Sequence, residues 1–196
     1  MGILKQAKIP GLVNASGMMF NILVGLLIAI PEASSRNYEE HEIKAAFLYS
    51  FAQFITWESR AIVGQTVALN YCAVKEGPVV KALKELIAAK KTAGETRRYT
   101  LLADLSNIRQ CHILFLDADS NKKEPVRLLP DESVVTVSDS QGFVANGGMI
   151  EFRRKANRVQ VHINLATARA HGIQISSKLL TLATIYNAHD EAKIDD

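Results

Sequence analysis

Apolar residues recur at helical spacing near the start of the folded part of this chain. Between Glu39 and Trp57 they fall on one face of a helix, and the polar residues fall on the others. The apolar face consists of Ile43, Phe47, Phe51, Phe54 and Ile55. The pattern therefore predicts an amphipathic opening helix over residues 39–57.

Short apolar runs typical of β-strands follow and alternate with helical stretches. The predicted strands are 67–74, 99–103, 111–116 and 134–137. A helix that starts at Pro78 follows the first strand, and a short surface helix over 118–130 precedes the last. Because residues 113–116 are continuously apolar, they favour a central parallel strand covered on both faces.

The C-terminal third predicts a hairpin of strands 149–153 and 158–165, the second with apolar and polar residues in strict alternation. A short helix from Ala166 to Gly172 follows, and then a last helix capped by Ser176 or Ser177. The apolar face of the last helix is Leu179, Leu182, Ala183 and Tyr186. We predict one three-layer α/β domain over 36–188, with a mostly parallel sheet, an antiparallel C-terminal hairpin and a polar tail at 189–196.

The first 35 residues have the pattern of a signal peptide. Two lysines precede an apolar run from Met18 to Ile30, which Pro31 ends. As a helix this run spans roughly 20 Å, less than the ~30 Å hydrocarbon core of a membrane. Cleavage after Ser35 is our first prediction and cleavage after Ala33 our second, with an uncleaved anchor or a buried helix as the alternative. Export to the periplasm is the expected consequence.

Composition and charge narrow the class of function. The chain has 196 residues, of which 48% are hydrophobic and 22% charged, as in one globular domain. Its 23 basic and 20 acidic residues give a net charge of +3, too little to hold a nucleic-acid backbone. We therefore expect no nucleic-acid partner.

Cys72 and Cys111 are the two cysteines of the chain. In an oxidising compartment they can form a disulfide that closes a loop of about 40 residues, worth ~4 kcal/mol in the chain-entropy model. Two separate buried thiols on strands remain the alternative.

Catalytic and cofactor motifs are absent from the sequence. It contains no nucleotide-binding phosphate loop and no GxSxG, HExxH, GxGxxG or CxxC motif. Asp117, Asp119 and Asn121 resemble the start of a calcium loop, but Lys122 and Leu128 replace its glycine and its glutamate, so a solvated helix N-terminus is favoured. We expect no enzymatic activity, no metal site and no cofactor.

A second class of function is a periplasmic sensor that binds a small molecule at the carboxyl ends of parallel strands. The candidate ligand-binding residues are Arg60, Asn164, Ser176 and Lys178. An uncharacterised hydrolase is a third hypothesis.

Several short segments, taken in order over roughly residues 38–186, resemble the YfiR family of bacterial periplasmic proteins. The segments are Lys44–Tyr49, Phe51–Ala52, Phe54–Ile55, Trp57, Cys72, Cys111–Phe115, Val135–Asp139, Gly142–Phe143, Gly147–Ile150, Arg158–Val159, Ile163–Leu165 and Ile175–Leu180. Each segment is short, and the specificity lies in the ordered set.

The resemblance implies a secreted, Rossmann-like, non-enzymatic protein that represses a membrane diguanylate cyclase by binding its periplasmic domain. In such systems an outer-membrane lipoprotein can sequester the repressor, which raises cyclic di-GMP and favours biofilm. The resemblance places a structural disulfide at Cys72 and Cys111, whereas a second family disulfide has no counterpart in this chain. Homodimerisation is a further expectation from the family that no residue pattern here indicates.

Overall fold

The computed structural model describes residues 38–58, 68–90, 96–123 and 132–187. Within them the elements are α1 (Glu40–Phe51), β1 (Ile55–Trp57), β2 (Leu69–Ala73), α2 (Pro78–Ala89), β3 (Arg97–Leu101), a 3₁₀ helix (Leu105–Gln110), β4 (Ile113–Leu116), α3 (Ala118–Lys123), β5 (Val135–Ser138), β6 (Ile150–Lys155), β7 (Arg158–Ile163), α4 (Leu165–Ala170), β8 (Ile173–Ile175), α5 (Ser177–Leu180) and β9 (Thr184–Ile185).

Seven of the strands form one sheet in the order β3-β2-β4-β5-β6-β7-β9. The first five of these are mutually parallel, and β7 runs antiparallel to β6 and parallel to β9. The sheet is therefore mostly parallel with an antiparallel C-terminal hairpin, and the predicted fold class is confirmed.

The two faces of the sheet are covered by different elements. Alternate strand residues, such as Tyr71 and Ile113, belong to the larger hydrophobic cluster, which also contains the buried residues of α1 and α2. Their neighbours Cys72 and Leu114 belong to a second cluster, with Ile108 of the 3₁₀ helix. Because successive strand side chains point to opposite faces, this alternation produces three layers.

The opening helix is shorter than predicted, because α1 ends at Phe51 and residues 55–57 form β1. β1 pairs antiparallel with β8, opposing Ile55 to Ile175 and Trp57 to Ile173. Periodicity alone did not reveal this, since Phe54 and Ile55 also fit the helical face. The β-branched and aromatic residues of 55–57 favour a strand once a partner is available.

The predicted last helix is wrong beyond its first turn. α5 ends at Leu180, and residues 184–185 form β9 at the edge of the sheet beside β7. Leu182 is 75% exposed, so it belongs to no buried helical face. The backbone pairing with β7 outweighs the weak helical pattern of these residues.

Several predictions fall on residues that the structure does not describe. These are the signal peptide over 1–35, the tail over 189–196 and residues 124–130 of the predicted surface helix. The domain boundaries therefore stay predictions. Within the described ranges, no helix has the length and apolar character needed to cross a membrane.

Candidate functional site

A cleft of about 300 Å³ lies at the carboxyl ends of the parallel strands. β2 and β4 are neighbours, but the chain leaves β2 through α2 toward β3 and leaves β4 through α3 toward β5, on the other side. Ligand sites of open α/β sheets occur where successive connections diverge in this way. Phe115, Val79 and Val80 contribute apolar lining, and the charged side chains come from α1 and from the loops after the strands.

Several charged side chains of the cleft form ion pairs. Among them Lys44 of α1 is the least exposed, at 12%. Its Nζ donates to Asp139 Oδ2 at 2.8 Å and lies 2.7 Å from Glu40 Oε1. Burial alone would lower the pKa of Lys44, but the hydrogen bonds to Asp139 and Glu40 outweigh it, so the pKa lies above its ordinary value. The hydrogen bond from Lys44 lowers the pKa of Glu40. Lys44 is therefore a cation held between two carboxylates.

Asp117 and Asp139 also line the cleft, and both accept hydrogen bonds from the backbone of α3. Asp139 Oδ1 accepts from the backbone N–H of Ala118 at 3.0 Å, and Asp117 Oδ1 accepts from that of Ser120 at 2.7 Å. Lys75 Nζ lies 3.5 Å from Asp117 Oδ2. Burial would raise the pKa of Asp117, but the hydrogen bonds from Ser120 and the charge of Lys75 lower it overall.

α2 presents its N-terminus to the same cleft. Gly77 is its N-cap and Pro78 its first residue, and no side chain of the described residues caps it. The backbone N–H groups of a first helical turn favour negative charge. The cleft thus combines fixed positive and negative groups above an apolar lining, which suits binding a small polar molecule.

The described residues contain no group of three His, Cys, Asp or Glu side chains placed to hold a metal ion. Both lysines of the cleft, Lys44 and Lys75, are held by carboxylates. A ligand that binds either ammonium must therefore compete with these ion pairs.

A disulfide joins Cys72 to Cys111 on the face of the sheet opposite α1 and α2, with Cα atoms 5.8 Å apart. This confirms the predicted pairing. Cys72 lies in β2, whereas Cys111 directly follows the 3₁₀ helix and precedes β4. The bond therefore fastens the 3₁₀ helix to the sheet.

Glu151 of β6 has no exposed surface, and its carboxylate organises the loop after β5. It accepts from the backbone N–H groups of Gly142 at 3.2 Å and Val144 at 3.1 Å, and from Arg153 Nε at 2.6 Å. A buried carboxylate with this many donors has a structural role. This role of Glu151 could not be predicted from the sequence, since strand alternation alone does not distinguish a paired carboxylate from a solvated one.

Comparison with protein families now adds to this geometry. A model of the YfiR/HmsC-like family matches residues 41–184, from α1 to β9. The chain belongs to the YfiR/HmsC-like family. This family is regulatory and non-catalytic, and membership supports, at the level of the family, a periplasmic regulator of diguanylate cyclase.

No curated protein matches the chain. Among solved structures, the chain is similar to the ABC domain in complex with L-Trp from Streptococcus pneumonia, with 11% sequence identity and a TM-score of 0.42. That match covers 74% of this chain and 60% of the other.

The sequence-predicted ligand residues lie outside the cleft or outside the described residues. Arg60 belongs to the undescribed range 59–67. Asn164 caps α4 by accepting from Thr167 N at 3.0 Å, and it donates to Val144 O at 2.9 Å. Ser176 caps α5 by accepting from Lys178 N, and the Lys178 side chain makes no ion pair among the described residues. A ligand role for these four residues stays a prediction.

Asn164 in particular does not lie at the carboxyl ends of the parallel strands. It follows β7, which runs antiparallel to β6. The carboxyl end of β7 therefore lies beside the amino ends of the parallel strands. The residues that the structure does bring together are Lys44, Lys75, Asp117 and Asp139. Lys75, Asp117 and Asp139 each follow the end of a parallel strand within two residues. Since ligand sites of open α/β sheets lie at the carboxyl ends of the strands, this position could have marked them as candidates.

Proposed function

We propose that this YfiR/HmsC-like protein is exported to the periplasm, with cleavage near Ala33 to Ser35. There it represses a membrane diguanylate cyclase by binding the periplasmic domain of that enzyme. Repression lowers cyclic di-GMP and biofilm formation. The single observation that carries the proposal is the family match over residues 41–184, which spans nearly the whole described fold.

Binding alone is sufficient for this activity. A regulator shifts a two-state enzyme only by the difference in its affinity for the two states. A shift from 1:99 to 99:1 needs about 5.5 kcal/mol, which one ordinary interface can supply. An outer-membrane lipoprotein that sequesters the regulator would release the cyclase, and a homodimer is the proposed form of the regulator.

A gene deletion tests this function. Deletion is expected to raise cellular cyclic di-GMP and biofilm mass, and a further deletion of the partner cyclase to abolish the rise. The control is the deletion strain complemented with the full chain. If the parent strain expresses both proteins and the deletion leaves its cyclic di-GMP level unchanged, the proposal is contradicted. An intact Met1 on the protein in a periplasmic extract would contradict the cleaved signal peptide.

A second candidate function is a periplasmic sensor of a small polar molecule, which the cleft at the carboxyl ends of the strands favours. A thermal-shift screen of periplasmic metabolites tests it. A ligand at 100 times its dissociation constant adds about 2.7 kcal/mol to the free energy of unfolding. Asp139→Asn should reduce that gain, and Glu85→Gln, an exposed change outside the cleft, should not.

A further inference from the structure

The hairpin of β6 and β7 ends in a cluster of basic side chains, which we call the basic tip: Arg154, Lys155 and Arg158. All three residues are exposed, and Arg154 has 65% of its side chain accessible. The strands are joined by Ala156 and Asn157, both at positive φ, 47° and 62°. A two-residue turn of this kind matches the twist of the strands and fixes their register.

The tip projects beyond the neighbouring strands of the sheet. β5 pairs with Ile150 and Glu151 of β6, and β9 pairs with His162 and Ile163 of β7. Within the part of the chain that the structure describes, the remaining cross-strand pairs, from Phe152–Val161 to Lys155–Arg158, have no strand beside them. The hairpin therefore continues as a two-stranded ribbon toward the tip.

The base of this ribbon is held firmly. The ring of Phe152 lies 5.9 Å from that of Phe51 and 6.1 Å from that of Phe47, which anchors β6 to α1. At the tip itself, Arg154 donates to Asn157 Oδ1 at 2.7 Å and lies 3.3 Å from Glu40 Oε2. The ring contacts of Phe152 thus give the basic tip a packed support, so less conformational freedom is lost when a partner binds.

The arrangement of charge at the tip is unfavourable for the isolated domain. Lys155 and Arg158 oppose each other directly across the two strands, where like charges destabilise a hairpin. Neither makes an ion pair with another described residue. Arg154 has its ion pair with Glu40 in an exposed position, where such a pair is weak and easily exchanged. An acidic partner would relieve the repulsion.

We propose that the basic tip binds an acidic segment of the periplasmic domain of the cyclase. This inference rests on the proposed function and adds the surface and the charge of the partner. A lipid surface fits less well, since polybasic lipid-binding segments typically carry about four to eight Lys or Arg. The basic tip has three, and the turn that joins its strands adds only Ala156 as an apolar residue, so no large apolar side chain is there to insert among lipids.

Charge reversal at the tip tests the inference. Each membrane diguanylate cyclase of the organism that has a periplasmic domain is expressed with an epitope tag, and its capture by the purified mature protein is measured. Lys155→Glu with Arg158→Glu should weaken capture of the partner at least about tenfold, and the wild-type affinity should fall with added salt. The matched control, Lys81→Glu with Arg169→Glu, changes the net charge equally at exposed positions on α2 and α4 and should leave capture unchanged.

A milder variant separates binding from folding. Lys155→Gln with Arg158→Gln removes the cross-strand repulsion, so its unfolding midpoint should equal or exceed that of the wild type while capture still weakens. Equal capture by wild type and both tip variants would overturn the inference but leave the proposed function intact. Capture of no cyclase by the wild type would overturn both. If the tip variants instead lose binding to phosphatidylglycerol vesicles while cyclase capture is unchanged, the tip is a membrane contact and the inference is wrong.

Discussion

The ammonium of Lys44 donates to the carboxylate of Asp139 at 2.8 Å and so ties α1 to the loop that follows β5. The two residues lie 95 positions apart in the chain, and their side chains are 12% and 19% exposed. Since Asp139 also accepts from Ala118 N, this one carboxylate links α1, α3 and the end of β5. Removing one partner of a part-buried pair costs more than removing one partner of an exposed pair, because the remaining charge is partly out of contact with water.

Lys44→Met is therefore expected to lower the free energy of unfolding by about 1–3 kcal/mol, because it removes the ammonium from Asp139 and leaves Glu40 with only its exposed contact to Arg154. Urea denaturation of the mature protein measures the loss. The matched control is Lys84→Met, which breaks the exposed pair of Lys84 with Glu76 and should cost less than ~1 kcal/mol. Equal losses in the two variants would show that the Lys44 pair is no stronger than a surface pair.

Stability should also depend on pH through the carboxylates of the cleft. The pKa values of Glu40 and Asp117 are lowered in the folded protein, from unfolded values of about 4.3 and 3.9. A lowered pKa gives stability that is present above the unfolded value and lost as the pH falls through the folded one. The urea concentration at the unfolding midpoint should therefore decrease as the pH is lowered below about 4.5. The decrease should be less steep in the double variant Glu40→Gln with Asp117→Asn. An identical acid slope in this variant would contradict the assignment.

The Cys72–Cys111 disulfide should contribute about 2–5 kcal/mol to the free energy of unfolding. Cys72→Ser with Cys111→Ser removes the bond without leaving a reactive single thiol. A reductant that fully opens the bond should lower the urea midpoint of the wild type to near that of the variant, which itself should not respond. A fully reduced wild type with an unchanged midpoint would be inconsistent with this role.

The order of strands and helices could be predicted from the sequence because the central strands are strongly apolar. Residues 113–116 are continuously hydrophobic, and they form β4 with every residue buried. The short elements β1 and β9 could not be predicted, since each has only two or three residues and forms only against a partner strand. β1 pairs with β8, more than 100 residues later, and no local pattern encodes such a pairing.

The candidate site was harder to predict than the fold. Asn164 and Ser176, two of the predicted ligand-binding residues, cap short helices in the structure. Lys44 has no local signal of a site, since a lysine on an amphipathic helix is usually solvated, and only the tertiary fold places Asp139 beside it. Which loops meet at a sheet edge depends on strand order, and strand order was not available from periodicity.

The loop between β5 and β6 gives a last, steric prediction. Gly148 lies against the ring of Phe143, and a Cβ atom added at Gly148 would overlap that ring. Phe143 is 3% exposed and belongs to the cluster beneath the disulfide, so the ring has little room to move. Gly148→Ala is therefore expected to cost about 1–3 kcal/mol through overpacking.

A double-mutant cycle separates this overlap from a general effect of alanine at position 148. Phe143→Leu removes most of the ring, so Gly148→Ala should cost less in the Phe143→Leu background than in the wild type. The coupling, measured by urea denaturation of all four proteins, should be at least about 0.5 kcal/mol. Additive losses would mean that Phe143 does not set the requirement for glycine.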